Sequence, residues 1–232
     1  MATFEEQVNG ITNLGATLTG STNPTDVELD QFLKDGVIDV TNRCIAAKPQ
    51  EVVFFTRSSS ESTSQYGLSN SLGKIISVVR ETGTDVDWRH CRLSSISLQS
   101  RLTDVDSLHY ASKYNPAYVI GGDGAIGVFP APSGSNNAYK VYYVNSTPVN
   151  TSDAALLHSH SDINYFPENK VYLVVIYAAI KSLESKMAEY LIDEEDVELV
   201  QGITANIGTL KQQYEGAFAA MAPQQQTPAG AR

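Results

Sequence analysis

The stretch PENKVYLVVIYAAIKSLESKMAEYL, residues 167–191, decides the fold because it is the most hydrophobic helical pattern in the chain. Pro167 suits the first turn of a helix, where its missing N–H is not needed. Apolar residues form one stripe along the helix at Tyr172, Ile176, Ile180, Leu183, Met187 and Leu191, and a second at Val171, Val174, Val175 and Ala178. A helix that is apolar on most sides must be covered on most sides. We therefore expect this helix to be central to the fold or to lie at a subunit boundary.

The next helix, predicted over residues 195–221, has the most regular pattern in the sequence. Its apolar residues alternate three and four positions apart, which is typical of the seam of a helix that pairs with another helix. Acidic residues 193–196 place negative charge at its start, where the helix dipole favours it. Its three glycines each weaken an isolated helix by about 1 kcal/mol, so neighbours must hold it. The candidate interface residues are Val200, Ile203, Ile207, Leu210, Tyr214 and Met221.

The N-terminal part also predicts helix. A short amphipathic start at Phe4, Val8 and Ile11 is followed by a polar connector punctuated by glycine. Thr25 and Glu28 then form a capping box, in which each residue satisfies a backbone N–H near the other. The helix that follows is predicted over residues 26–47 and is stopped by Pro49.

The middle of the chain changes to a β pattern. Strand-like runs are EVVFFTR (residues 51–57), KIISVVR (74–80), two runs joined at residues 121–124, and AYKVYYVN (138–145), with an imperfect alternation over residues 91–102. We expect five or six strands, mostly antiparallel because the links are too short for helical crossovers. The predicted class is α+β, with an antiparallel β domain (51–150) inserted into a helical frame (1–50 and 151–221) and followed by a flexible tail (222–232).

Composition narrows the class of protein. The chain has 232 residues, a formal net charge of −10 and two cysteines. The negative net charge argues against a basic surface that would bind nucleic acid. An acidic channel would, however, let DNA pass without binding it. Two cysteines are too few for a disulfide scaffold, and the acidic N-terminus lacks the pattern of a signal peptide. The longest apolar run, residues 171–180, is shorter than the ~20 residues of a membrane-spanning helix.

The pentapeptide HSHSD, residues 158–162, is the candidate metal site. His158, His160 and Asp162 alternate, so an extended segment would place these three possible zinc ligands on one face. The alternative is a polar loop in which Asp162 or Ser161 makes turn hydrogen bonds. No zinc spacing surrounds the motif, and the loop is the favoured interpretation. No metal and no cofactor are expected.

Other candidates for chemistry are weaker. IGGDGAIG (120–127) lacks the Lys-Ser/Thr of a phosphate-binding loop and predicts a hairpin turn. The serines of RSSSES (57–62) have no Gly-x-Ser-x-Gly elbow. Cys91 lies beside His90, but neighbours in a strand point to opposite faces. The twelve tyrosines suit sheet packing, interfaces or carbohydrate stacking. No catalytic residues are assigned, and the protein is not expected to be an enzyme.

The layout then resembles a known family. The helix LDQFLKDGVIDVTNRC (29–44), the β insertion and the final FPENKVYLVVIYAAIKSLESKMAEYLIDEEDVELV (166–200) are similar to the head-to-tail adaptor proteins of tailed bacteriophages. The resemblance implies a virion neck component, assembled in the host cytoplasm as a ring of commonly twelve copies between the portal protein and the tail. DNA would pass without sequence-specific binding, and the tail at 222–232 would dock on the portal.

Three other functions remain open on the sequence. One is another tail or baseplate subunit. A second is a metal-dependent hydrolase that uses His158, His160 and Asp162. The third is a glycan-binding β module with a tyrosine-rich sheet.

Overall fold

The computed structural model describes residues 2–13, 24–84, 86–134, 136–193 and 197–221, without the side chains of 191–193 and 197. The chain divides into two compact units. The helical unit takes residues Met1–Phe55 and Thr147–Arg232, and the β unit takes Thr56–Ser146. The helices in chain order are α1 (Phe4–Thr12), α2 (Asp26–Ala47), a four-residue α3 (Gln99–Leu102), α4 (Val171–Asp193) and α5 (Val197–Met221). The predicted α+β class is confirmed.

The starts of the first two helices follow from local capping. Thr25 and Glu28 form the predicted capping box, and α2 spans the predicted residues. A second capping box at Thr3 and Glu6 begins α1. Pro167 lies just outside the helix, because a 3-10 turn, Glu168–Lys170, precedes α4. The predicted α5 start at residue 195 falls in residues 194–196, which lie outside the described chain, as do most of the connector and the tail.

The helical unit is built around α4. This helix packs against α1, α2 and α5, and its buried residues include Leu173, Val174, Ala178 and Leu183. Helices α2 and α4 cross closely at Gly36. A Cβ added there would lie 3.1 Å from the Tyr177 ring. The expectation that α4 is the central element is confirmed within this unit.

One strand prediction is wrong. Residues 51–55 of EVVFFTR belong to a 3-10 helix, Pro49–Phe55, and only Thr56–Ser58 form strand β1. Phe55 is buried and packs edge-on against Phe166, with the ring centroids 5.5 Å apart. Tertiary contacts of this kind override the β propensity of the sequence.

The β unit contains two four-stranded sheets. The remaining strands are β2 (Leu68–Ser69), β3 (Gly73–Glu81), β4 (Trp88–His90), β5 (Arg92–Leu93), β6 (Ala117–Ile120), β7 (Ala125–Phe129) and β8 (Tyr139–Asn145). The sheet orders are β1-β8-β3-β4 and β2-β7-β6-β5. The number of strands is therefore higher than the predicted five or six. The pairs are antiparallel except for β5 with β6.

Two apolar clusters hold the β unit together. One joins residues of both sheets, among them Val78, Tyr118, Ile126 and Tyr139. The other lies on the opposite face of β6 and β7, where Leu102 and Ala111 cover Ala117, Val119 and Phe129. Residues 91–102, where the sequence shows an imperfect alternation, form β5, a 3-10 turn and α3. Leu102 lies in α3 and packs in the second cluster. The alternation is imperfect because this part of the segment is helical.

Candidate interaction surfaces

The pentapeptide at residues 158–162 closes the N-terminal end of α1. The backbone carbonyls of His158 and His160 accept hydrogen bonds from the N–H groups of Glu5 (3.0 Å) and Phe4 (2.8 Å). N–H groups in the first turn of a helix have no acceptor inside the helix. The pentapeptide supplies the missing acceptors from its backbone.

The His158 side chain connects the same loop to α2. Asp30 Oδ1 accepts the backbone N–H of His158 at 2.5 Å and lies 3.0 Å from its ring Nδ1. The two side chains are 15% and 19% exposed, so this contact is largely shielded from water. The pentapeptide therefore joins α1 and α2, a role that its sequence did not reveal.

His160 and Asp162 turn to other partners. Nδ1 of His160 accepts the backbone N–H of Leu157 at 3.1 Å, and its Nε2 lies 3.2 Å from the Asn150 side-chain amide. Asp162 accepts the backbone N–H of Thr151 at 2.7 Å, and hydrogen bonds from Thr151 lower the pKa of its carboxyl group. Across the described ranges, no three His, Cys, Asp or Glu side chains are grouped to hold a metal ion.

Two other chemical candidates have structural roles. Cys91 is fully buried, and burial raises the pKa of its thiol to about 12 against the opposing charge of Arg80, whereas His90 is exposed on β4. A thiol with such a pKa stays protonated near neutral pH and is a poor nucleophile. Residues 121–124 form the predicted turn between β6 and β7, where Gly124 has a φ of 82° and donates to the Gly121 carbonyl at 3.0 Å.

The seam of α5 is largely covered by its own chain. Ile207, Leu210 and Tyr214 are buried, and α5 packs on α4 and α2. Val200, Ile203 and Met221 are partly exposed. The seam therefore pairs with helices of the same chain, and its role in contacts between subunits stays a prediction that rests on these last three residues.

A polar cluster fastens α5 to α2. The Tyr214 hydroxyl donates to Asp39 Oδ2 at 2.6 Å, and Arg43 lies 2.9 Å from the same carboxylate oxygen and 2.8 Å from Glu215. Burial, followed by the Asp39 hydrogen bond, raises the pKa of Tyr214 well above its ordinary value. The guanidinium of Arg43 also lies over the rings of Tyr214 and Phe218, at 5.3 and 5.2 Å. This end of α5 is held by several mutually supporting contacts.

Among the residues that the structure describes, α4 has one open side, between α1 and α5. We call this concavity, of about 430 Å³, the α4 groove. Its lining residues are Gln7, Ile11, Tyr172, Val175, Ile176, Leu210 and Gln213. The lining is mostly apolar and contains no charged residue, and Tyr172 is 49% exposed. An apolar concavity with a few polar groups is typical of a binding site.

A second apolar feature projects from the end of α2. Val53 and Phe54 are 70% and 63% exposed on the 3-10 helix, and we call this pair the Phe54 knob. The helix beneath it is anchored by buried Phe55 and by the ion pair between Glu51 and Lys170. The sequence predicted a strand here, so it gave no sign that these two residues would face solvent.

The Glu51–Lys170 pair is electrostatically coupled. The hydrogen bond from Lys170 lowers the pKa of the Glu51 carboxyl group. Burial alone would lower the pKa of Lys170, but its interactions with the Glu51 carboxylate and the Cys44 thiol raise it on balance. Both partners are therefore held in their charged forms near neutral pH.

The β unit exposes apolar side chains on the short edge strand β5 and in the segment that follows it in sequence. They are Leu93, Ile96, Val105, Leu108 and Tyr114. Arg92 holds the loop that follows α3 near this edge, because its guanidinium donates to the carbonyls of His109 (2.6 Å) and Tyr110 (3.1 Å). Other tyrosines pack inside, and buried Tyr139 donates to the Ile126 carbonyl while accepting the Leu68 N–H.

Comparison with known proteins supplies the family. None of the described helices has the length and apolar character needed to cross a membrane. No curated protein matches the chain. The family of SU10 adaptor proteins matches residues 9–232, a range that takes in both the helical and the β unit. The resemblance to phage adaptor proteins is thereby confirmed at the level of the family. The chain belongs to the SU10 adaptor protein family.

Proposed function

We propose that this protein is a structural component of the phage virion that forms an oligomeric ring between portal and tail. The observation that carries the proposal is the family match over residues 9–232. The resemblance in layout to head-to-tail adaptors adds the place in the virion and a ring of commonly twelve copies. In this role the protein needs surfaces for its neighbours and has no substrate.

The distribution of charge supports the passage of DNA through such a ring. The helical unit carries 19 of the 26 acidic residues and 8 of the 16 basic residues, which leaves 7 and 8 in the β unit. A surface with excess negative charge repels the phosphate backbone and prevents tight, non-specific binding. The helical unit is therefore the better lining for a channel through which DNA must move.

The placement of the chemical candidates supports a structural role. His158, His160 and Asp162 bind residues of the loop and of α2, and Cys91 is buried with a protonated thiol. Each of these residues makes contacts that build the fold of its own unit. The proposal therefore assigns no catalytic residue, no metal and no cofactor.

Electron microscopy of the virion tests the position. We expect a closed ring of this chain directly below the portal, with the tail attached to its other side. Density for the chain in the capsid shell or baseplate would exclude the neck assignment while leaving the family unchanged.

Binding to the portal is tested separately with the last eleven residues. Residues 222–232 lie outside the described chain, and we propose that they dock on the portal. Deletion of residues 222–232 is expected to leave thermal unfolding unchanged and to weaken portal binding in a pull-down. A variant with the same eleven residues in scrambled order controls for length and composition, and equal binding by all three proteins would reject this docking role.

A further inference from the structure

We propose that the Phe54 knob of one copy inserts into the α4 groove of the neighbouring copy. The inference rests on the proposed ring and names the surfaces that join its subunits. Knob and groove both belong to the helical unit.

The groove is the side of α4 that the described residues of its own chain leave open. Helices α1, α2 and α5 cover the other sides. Tyr172 and Ile176 lie in the gap between α1 and α5, together with Ile11 from α1. Open apolar surface on a central helix marks an interaction site, because exposing it to water is unfavourable. The groove is therefore ready to receive an apolar group from outside the chain.

The knob has the shape and rigidity that such a groove requires. Phe54 and Val53 project from a 3-10 helix in which Phe55 packs against Phe166 and Glu51 pairs with Lys170. A rigid aromatic side chain loses little conformational freedom on binding, and aromatic residues dominate the energetics of interfaces. Phe54 is the anchor of the proposed contact, and the groove of about 430 Å³ is large enough to hold a phenyl ring.

Charge favours contact at these two places. The helical unit has 11 more acidic than basic residues, so two copies repel each other over most of its surface. The groove lining and the two knob residues are uncharged, and the charged residues that share a concavity with Phe54 are Lys48, Glu51 and Lys170. The groove carries no charge, and the charged residues beside the knob are two positive and one negative, so a contact between knob and groove adds little to this repulsion.

The arrangement of the two patches also fits a ring. They consist of different residues, so a contact between them is heterologous, with each copy offering its knob to one neighbour and its groove to the other. Repeated heterologous contacts close into a ring when the rotation between copies allows it. A two-fold dimer would instead place the same patch on both sides of the contact.

Cross-linking in assembled necks tests the contact. We would combine Val53→Cys, beside Phe54, with Gln213→Cys, at the edge of the groove, and treat purified particles with a short bis-maleimide. The native thiols do not interfere, because Cys44 and Cys91 are buried. The matched control pairs Gln213→Cys with Val27→Cys, which is 77% exposed on α2 and outside both patches.

The expected result is a ladder of covalent multimers on a denaturing gel for the first pair and monomer for the control. Monomer from both pairs, in particles whose ring is intact by electron microscopy, would overturn the knob-in-groove contact and leave the proposed ring standing. An adduct with the portal in place of the ladder would also overturn it. Absence of any ring from wild-type particles would instead remove the proposed function.

Truncation of the anchor gives a second measurement. Phe54→Ala is expected to raise the concentration needed for assembly on the portal by at least about tenfold, since buried aromatic anchors carry much of the binding energy of an interface. Val27→Ala is expected to leave that concentration unchanged. Equal assembly by the two variants, with equal thermal stability, would contradict the role of Phe54.

Discussion

At the scale of single residues, the Asp30 side chain links α2 to the loop at residues 158–162. One carboxylate oxygen accepts the His158 N–H and lies beside its ring, and the same loop closes α1 through its carbonyls. Asp30→Ala removes the acceptor and leaves a shielded N–H without a partner. We expect the free energy of unfolding to fall by about 1.5–3 kcal/mol, as measured by urea denaturation.

Asp35→Ala is the matched control for Asp30, because it is an acidic residue of the same helix whose side chain accepts a hydrogen bond from exposed Gln31 at 2.8 Å. Its expected loss is below about 0.5 kcal/mol. If both variants lose the same stability, the link between Asp30 and the pentapeptide is unimportant.

The ion pair of Glu51 and Lys170 predicts how stability depends on pH. The pKa of Glu51 is lower in the folded protein than in the unfolded chain, because Lys170 stabilises the carboxylate. Its contribution is therefore fully present above the unfolded pKa of about 4.3 and is lost as pH falls through the folded value. Glu51→Gln should be less stable than wild type at neutral pH, and the difference should shrink below about pH 4.

Thermal unfolding of both proteins across the acidic range measures this difference. Glu61→Gln provides the comparison, since Glu61 is exposed and lies 4.0 Å from Lys140. A Glu51→Gln difference that stays constant down to pH 3 would show that the pair does not respond to protonation of Glu51.

At the scale of elements, the glycines of α2 and α5 have opposite roles. A Cβ at Gly36 would crowd Tyr177, whereas a Cβ at Gly208 meets nothing within 4 Å. Gly208→Ala should raise the free energy of unfolding by about 0.5–1 kcal/mol, because alanine favours the helix. Gly36→Leu should lower it by about 1–3 kcal/mol, because the larger side chain forces α2 and α4 apart.

Chemical denaturation of the two variants decides between these roles. A loss of stability in Gly208→Ala would mean that the open face of α5 is occupied. Gly36→Leu with wild-type stability would mean that the crossing of α2 and α4 adjusts without cost.

The helices could be predicted from the sequence more accurately than the strands. Thr25 and Glu28 mark the start of α2 by chemistry local to four residues, and the apolar period of α4 persists over many turns. Strands β2 and β5 have two residues each, too few for any alternation to show, and their pairing depends on distant β7 and β6. The sequence predicts a strand at residues 51–55, because the contacts with Phe166 and Lys170 that hold the 3-10 helix are also distant in sequence.

The candidate interaction surfaces were harder to predict from the sequence than the fold. The α5 seam was visible as a period, but the sequence could not tell whether its partner was the same chain or another, and Ile207, Leu210 and Tyr214 prove to be buried in the chain. The α4 groove exists because three helices leave one side uncovered. The sequence predicts that the stripe containing Tyr172 and Ile176 needs a cover, and only the packing shows where the described residues leave it uncovered.

At the scale of the whole molecule, net charge predicts how assembly responds to salt. Each copy carries a formal charge of −10, and all of the acidic excess lies in the helical unit. Copies brought together in a ring repel one another, and salt screens this repulsion over a Debye length of about 10 Å at 0.1 M. Assembly on the portal should therefore strengthen as salt rises from roughly 50 to 500 mM, whereas binding to DNA weakens with salt in proteins that neutralise phosphates.

Two measurements on the same preparation check this prediction. Sedimentation of the portal with the adaptor should show more bound adaptor at the higher salt concentration, and a mobility-shift titration should show no complex with duplex DNA at physiological salt. Assembly that weakens with salt would mean that attractive ion pairs dominate the contact, which the uncharged knob and groove do not supply. A salt-sensitive DNA complex would mean that the few basic residues form a phosphate-binding surface. A ring of such subunits would bind the DNA that has to pass through it.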